Sequence, residues 1–206
     1  MDVDTMATLF ALLTVAADLA VVGMALVVIV DRDGSRGMRP ALIETLGPSA
    51  LWLAFLVALT ATLGSLYLSE VAHFVPCELC WYQRIAMYPL APILFVAAYR
   101  RDPGVWRYVV PVAAIGAAIS IYHYQLERFP EQASASCSPD APCTVVWIWR
   151  FHFISIPFMA LSAFALIGAL VLVARSGTTV DTTDDGARLT GHSDAVGASE
   201  IDGRGR

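Results

Sequence analysis

The chain of 206 residues carries four cysteines, and they fall into two close pairs. Cys77 and Cys80 enclose Glu78 and Leu79, while Cys137 and Cys143 enclose the five residues Ser-Pro-Asp-Ala-Pro. Thiols so spaced can staple a loop, hold a soft metal ion, or exchange electrons through mixed disulfides. A staple across Cys-x-x-Cys closes only a small, tense ring. A zinc site would use the first spacing well, but the second is wider than zinc knuckles use, so no metal is assigned. The redox reading has positive support. Cys80 falls at the start of a predicted helix, where free N–H groups and the helix dipole stabilise a thiolate. Arg84 follows one turn later on the same face. An arginine there would stabilise a developing anion on a bound acceptor; an arginine snorkelling at a membrane edge would show the same spacing. Glu78, between the sulfurs, opposes a thiolate by repulsion.

The elements that position these thiols are apolar. Hydrophobic residues make up 57% of the chain and charged residues 15%, and the mean hydropathy is +0.64. This composition belongs to membrane proteins. A net charge of -5 with no lysine and no basic cluster excludes a nucleic-acid binder. Five apolar runs, about 6–30, 49–69, 81–99, 107–125 and 153–174, are each long enough to cross a bilayer. Pro89 and Pro92 in the third run predict a kink, which neighbouring helices accommodate. The first run starts beside Asp2 and Asp4 and ends in Asp31-Arg32-Asp33, unlike a cleaved signal, so a retained span is expected. Asp18 in its middle should face the bundle. The stretch 176–206, rich in Thr, Asp, Gly and Ser without apolar periodicity, reads as a disordered acidic tail.

The arginines orient the spans. Arg32, Arg36, Arg39, Arg100, Arg101, Arg107 and Arg175 share one side, against Arg84, Arg128 and Arg150 on the other. The positive-inside rule then predicts a plasma-membrane protein with a cytoplasmic C-terminal tail and an external N-terminus. Both cysteine-bearing loops lie together outside, where disulfides persist.

Pro-Cys-Glu-Leu-Cys-Trp-Tyr-Gln-Arg, residues 76–84, resembles the signature of the disulfide bond formation protein B (DsbB) family. The likeness continues through Ser-Ile-Tyr-His-Tyr-Gln-Leu at 120–126 and Ile-Ser-Ile-Pro-Phe-Met-Ala-Leu at 154–161. It implies an all-α integral membrane fold: a four-helix bundle core at 49–174, preceded by one additional N-terminal transmembrane helix and cytoplasmic loop at 1–48 and followed by the tail at 175–206. It also implies an enzyme that re-oxidises an extracytoplasmic thioredoxin-fold (DsbA-like) thiol oxidase and passes the electrons to membrane quinone, ubiquinone or menaquinone. Family members usually have four spans, so the first run is an addition; the close second pair matches the branch with a short second loop.

By that resemblance, the Cys137–Cys143 disulfide meets the reduced partner, with the mixed disulfide at Cys137. Cys143 then attacks or pairs with Cys77, and Cys80, nearest the membrane, adds to the quinone. Arg84 stabilises the reduced quinone, His123 lies beside it, and Trp81 lines its site. An interfacial aromatic belt would place His123, between Tyr122 and Tyr124, and Trp81 equally well. Trp147, Trp149 and Phe151 are expected to hold the second loop against the bilayer. Two rivals remain. Vitamin K epoxide reductases run similar chemistry but place their loop cysteines before the quinone-facing pair. A non-catalytic membrane protein with stapled loops would need no acceptor.

Overall fold

The computed structural model describes residues 3–32, 37–132 and 142–177. Cys137, Arg36 and the tail beyond residue 177 lie outside them. Five helices follow in order: α1 (Val3–Val30), α2 (Met38–Leu66), α3 (Glu78–Arg100), α4 (Trp106–Arg128) and α5 (Ile156–Gly177). A π-helical turn, Tyr67–Val71, prolongs α2, and a 3-10 turn, Pro103–Val105, leads into α4. No strand forms among the described residues, only an isolated bridge between Arg150 and Ile154. The protein is an all-α multi-pass membrane bundle.

Successive helices run antiparallel, as contacts at both ends show. Arg84 reaches Ser65 near one end of the α2–α3 pair, and Phe55 meets Phe95 near the other. Tyr124 bonds the Phe153 carbonyl ahead of α5, and Arg175 covers the Trp106 ring at the far end. The cysteine loops therefore share one end of the bundle. The core is built from small and branched residues, among them Ala54, Ala58, Leu90, Leu94, Val109 and Ile167. Many large apolar side chains remain exposed, such as Leu19, Ile29, Ile85 and Ile115. A helix surface of that kind is stable only against lipid.

α1, α2, α4 and α5 are long and apolar enough to cross a membrane. α3 is as long as α4, but Gln83 and Arg84 in its second turn interrupt its apolar stretch. It lies between α2 and α4 with a stripe buried at Gln83, Met87, Leu90, Leu94 and Ala98, so its polar residues have protein partners. Pro89 and Pro92 lie inside it, as expected, and Pro48 lies inside α2. Proline at position 48 makes a helix begin after it on local rules. Instead α2 begins eleven residues before the predicted start at 49, after Gly37 at φ 68°, and the connection to α1 is correspondingly short.

α1 touches the core mainly near its ends. At the cysteine end Asp4 pairs with Arg150, and Phe10 lies against Gly64. At the other end the buried Asp31 carboxylate accepts the Arg39 backbone N–H at 2.8 Å. Its buried residues Ala7, Ala11 and Thr14 form the inward stripe, Asp18 continues that stripe half-buried, and Met24 is buried in the main core.

α4 packs closely on α5 at Gly116. A Cβ built on Gly116 would come within 2.3 Å of the Phe164 ring, which is fully buried. Gly116→Ala should therefore cost about 1–3 kcal/mol through overpacking. Gly168→Ala, whose Cβ meets nothing within 4 Å, should leave stability unchanged or raise it slightly through helix propensity. Thermal unfolding of the two variants in detergent distinguishes these outcomes, and equal midpoints would contradict the packing described.

Candidate active site

The site begins where α3 begins. Pro76 delivers an extended chain to Cys77, which adopts φ -75° and ψ 174° as the N-cap of α3. Its carbonyl accepts the Trp81 N–H at 3.1 Å. Cys80 is then the third helical residue. One helical turn brings the two sulfurs to 3.2 Å, within hydrogen-bond reach, and both are free thiols. Glu78 points away, exposed, so its charge is spent in solvent rather than on the sulfurs.

Each sulfur meets a different environment. Cys77 is buried against Leu126 and Cys143. Cys143 is disulfide-bonded and 1% exposed, so the second loop reaches the first pair directly; Cys137 lies outside the described residues. On its other flank Cys77 has His123, whose Nε2 stands 3.6 Å from its sulfur. Cys80 instead lines an apolar cavity of about 840 Å³ between α1, α2, α3 and α5.

Arg84 lines the same cavity. Its Nε donates to Ser65 Oγ at 3.0 Å and a terminal nitrogen to the Ser65 carbonyl at 3.2 Å; its guanidinium carbon sits 5.1 Å from the Trp81 ring centre. Tyr88 donates to the same Ser65 hydroxyl. Gln83 is fixed by Ser120, which bonds the Gly116 carbonyl in turn. The mouth of the cavity thus holds a thiol, a guanidinium, an amide and a phenol, and below it the walls are mostly apolar.

Of the residues singled out in the sequence, Cys77, Cys80, Cys143 and His123 meet in one cluster, and Arg84 stands beside Cys80. His123 contacts Cys77 rather than the cavity wall, and Trp81 faces outward, covering Arg84 without lining the cavity. His73 and His152 are exposed. Trp147 stacks on Phe74 with ring centres 4.9 Å apart, which clamps the second loop onto the segment leading to Cys77. Sequence reasoning passed over Ser65, which anchors Arg84, and Glu127. Glu127 lies one turn beyond His123 and is buried, with one carboxylate oxygen unbonded, as is His123 Nδ1. The i, i+4 spacing of His123 and Glu127 was the available signal.

The two sulfurs and the His123 ring offer ligand atoms all within 4.8 Å of one another. A cation held there would occupy both thiolates and stop disulfide exchange. Cys143, already disulfide-bonded, adds no thiolate to such a site.

The sequence profile described as Disulfide bond formation protein DsbB matches residues 48–174. The chain belongs to the DsbB family. It is 52% identical over 118 residues to Disulfide bond formation protein C of Bacillus subtilis, covering 57% of this chain and 86% of that one. It is 47% identical over 140 residues to a probable disulfide formation protein of Deinococcus radiodurans, covering 63% and 91%. A probable disulfide formation protein of Coxiella burnetii is 42% identical over 127 residues, covering 61% and 86%. No solved structure matches. As a DsbB-family member the protein is a membrane thiol oxidoreductase of disulfide bond formation, and the vicinal dithiol at the mouth of α3 is the expected seat of that chemistry. α1, at Val3–Val30, precedes the matched region.

Spacing alone gives the stabilised thiolate to Cys80; the structure gives the lower thiol to Cys77. The hydrogen bond from Cys80 and, less strongly, the His123 ring pull Cys77 down to about 4, against the opposing effect of burial. A thiol lowered in the fold stabilises the reduced protein fully above its unfolded value, and that contribution is lost as pH falls through about 4. Alkylation of Cys77 in the reduced protein should therefore stay nearly constant from neutral pH down to about 5 and fall near 4. Cys80→Ala should move that fall upward more than His123→Phe does. A wild-type profile falling in the ordinary thiol range, near ~8.5, would refute the assignment.

Proposed function

We propose that the protein draws electrons from an extracytoplasmic thioredoxin-fold (DsbA-like) thiol oxidase and delivers them to membrane quinone. The observation that carries this reading is the division of the dithiol: Cys77 packs on Cys143, while Cys80 and Arg84 line an apolar cavity. A pair so placed joins a loop disulfide to a lipid-soluble acceptor.

The exchange balances as follows. A thiolate of the reduced partner attacks Cys137 of the Cys137–Cys143 disulfide, and Cys143 leaves as a thiolate. Cys143 attacks Cys77 of a Cys77–Cys80 disulfide, so a Cys143–Cys77 bond forms and Cys80 leaves with the electron pair beside Arg84. The partner's second thiolate attacks its own sulfur in the mixed disulfide, which releases oxidised partner and frees Cys137. Cys137 then attacks Cys143, restoring the loop disulfide and leaving Cys77 and Cys80 reduced. A free Cys77–Cys80 pair with Cys143 disulfide-bonded matches this last state.

A quinone bound at the cavity mouth supplies the two-electron sink. The residues there fit one: an apolar volume, with Arg84 and Gln83 held by hydrogen bonds where a ring oxygen would need a donor. Ser65 orients the guanidinium, Trp81 shields it from lipid, and His123 holds charge and proton at Cys77. The stabilised Cys77 thiolate makes the first pair the stronger oxidant, which draws electrons from the loop pair. The arginine distribution supports an external cysteine end and a cytoplasmic tail. The vitamin K epoxide reductase alternative is disfavoured by the order of the cysteine pairs.

Detergent-solubilised protein mixed with a reduced thioredoxin-fold oxidase and ubiquinone or menaquinone should bleach the quinone absorbance catalytically. Cys80→Ser should abolish turnover, and Arg84→Gln should lower it roughly 100-fold, the scale of a lost donor to a developing anion. Wild-type rates in Cys80→Ser would sink the proposal. In intact cells, after reduction, a membrane-impermeant maleimide should label the cysteines; protection that persists until the membrane is permeabilised would reverse the orientation.

A further inference from the structure

α1 lies outside the family match, yet it forms one wall of the cavity that Cys80 opens into. Phe10, Thr14, Ala17, Ala20, Gly23 and Met24 line it from α1. Across from them stand Leu56, Val57 and Thr60 of α2 and Ala160, Ala163 and Leu166 of α5. α1 is fastened by Asp4–Arg150 and Phe10–Gly64 at one end, by Asp31–Arg39 at the other and by the buried Met24, and the space lies along its face between these contacts. Gly23 lies in that open stretch: a Cβ built on it meets nothing within 4 Å.

The shape of the space identifies what it takes. On α2 its lining extends from Ser69, at the cysteine end, to Leu42 near the opposite end. At 1.5 Å per residue that is about 40 Å, the depth of a bilayer and much longer than a quinone ring. Its charged and amide groups gather at one end, around Cys80, Gln83 and Arg84, and the remainder is lined by apolar side chains with a few hydroxyls. The matching ligand is long and apolar, with one polar head.

We propose that α1 closes a groove on the four-helix core into a lateral cavity and binds the polyprenyl tail of the quinone whose ring lies at Cys80. The inference rests on the acceptor reading above. It gives the additional helix a role in affinity for the acceptor: without α1 the tail would lie against bulk lipid, and with it the tail lies between protein walls.

The test reads binding rather than turnover. Full-length protein in phospholipid nanodiscs is titrated with a long-tailed quinone and with its one-isoprene analogue, at matched mole fractions in the lipid. Quenching of tryptophan fluorescence is followed, since Trp147 lines the cavity. The long-tailed quinone should bind the wild type at least roughly tenfold more tightly than the short one. Gly23→Phe, which projects into open space and so leaves the fold intact, should erase that advantage and leave short-tail binding unchanged. An unchanged advantage in Gly23→Phe overturns the proposal, and so does equal weakening of both ligands. No tail-length advantage in the wild type, as when a phospholipid chain fills the cavity, overturns it too, while binding of both quinones keeps the acceptor reading. Failure of the wild type to bind either quinone overturns the acceptor reading and this inference together.

Discussion

The 3.2 Å contact between Cys77 and Cys80 depends on helix geometry. An N-cap residue and the third helical residue lie one turn apart, close enough for their side chains to touch, yet the N-cap leaves the helix axis while the third residue has already joined it. One sulfur can therefore belong to a loop and the other to a transmembrane helix, with a disulfide's reach between them. Everything else in the site serves that boundary. Pro76 fixes the entry of the chain, Leu126 and Cys143 cover the loop side, and the cavity opens on the helix side. The helix dipole and the unbonded N–H groups of the first turn favour negative charge at either sulfur. The local choice of Cys77 follows from its neighbours, Cys80 and His123.

Polar groups within the bilayer are costly unless bonded, and this bundle treats them in two ways. At the cavity mouth they are satisfied: Arg84 and Tyr88 share Ser65, and Gln83 is held by Ser120, which is held by the Gly116 carbonyl. Others are not, the Thr62 hydroxyl on α2 among them. His123 Nδ1 and a Glu127 oxygen are buried and unbonded one turn apart. An unsatisfied group in a native interior calls for an explanation, and these two adjoin Cys77, the sulfur that would gain and lose a proton in the proposed exchange. The satisfied set is scaffold for the cavity mouth.

Much of this was legible in the chain. Cys-x-x-Cys followed by an arginine at i+4 reported both the helix start and its charged face, and the apolar runs located the helices to within a few residues, apart from the start of α2. That start was hidden by Pro48, because a membrane helix flanked by neighbours absorbs a proline that local rules read as a boundary. Ser65 was illegible for a different reason: a serine in an apolar run carries no periodic signal, and its importance comes from Arg84 arriving from another helix. His123 was found, but its partner was not. Depth in the membrane places a histidine near an acceptor and near a thiol equally well; only the fold shows that it touches Cys77.

The short second loop has a mechanical consequence. Cys143 is six residues from Cys137 and fully buried beside Cys77, and the chain that follows is tied down within a few residues. Trp147 stacks on Phe74, Ile148 is buried, and Arg150 bonds Ile154 across a turn formed by Phe151 and His152, both at positive φ. Two consecutive non-glycine residues in that region cost energy that surrounding contacts must offset. The same turn presents Arg150 to Asp4 of α1, so the segment that carries the loop cysteine to the dithiol also fastens the helix that walls the cavity. A long mobile loop would have to search for the first pair. Among the described residues, packing already sets Cys143 beside Cys77, so in the proposed exchange these two sulfurs would not have to find each other.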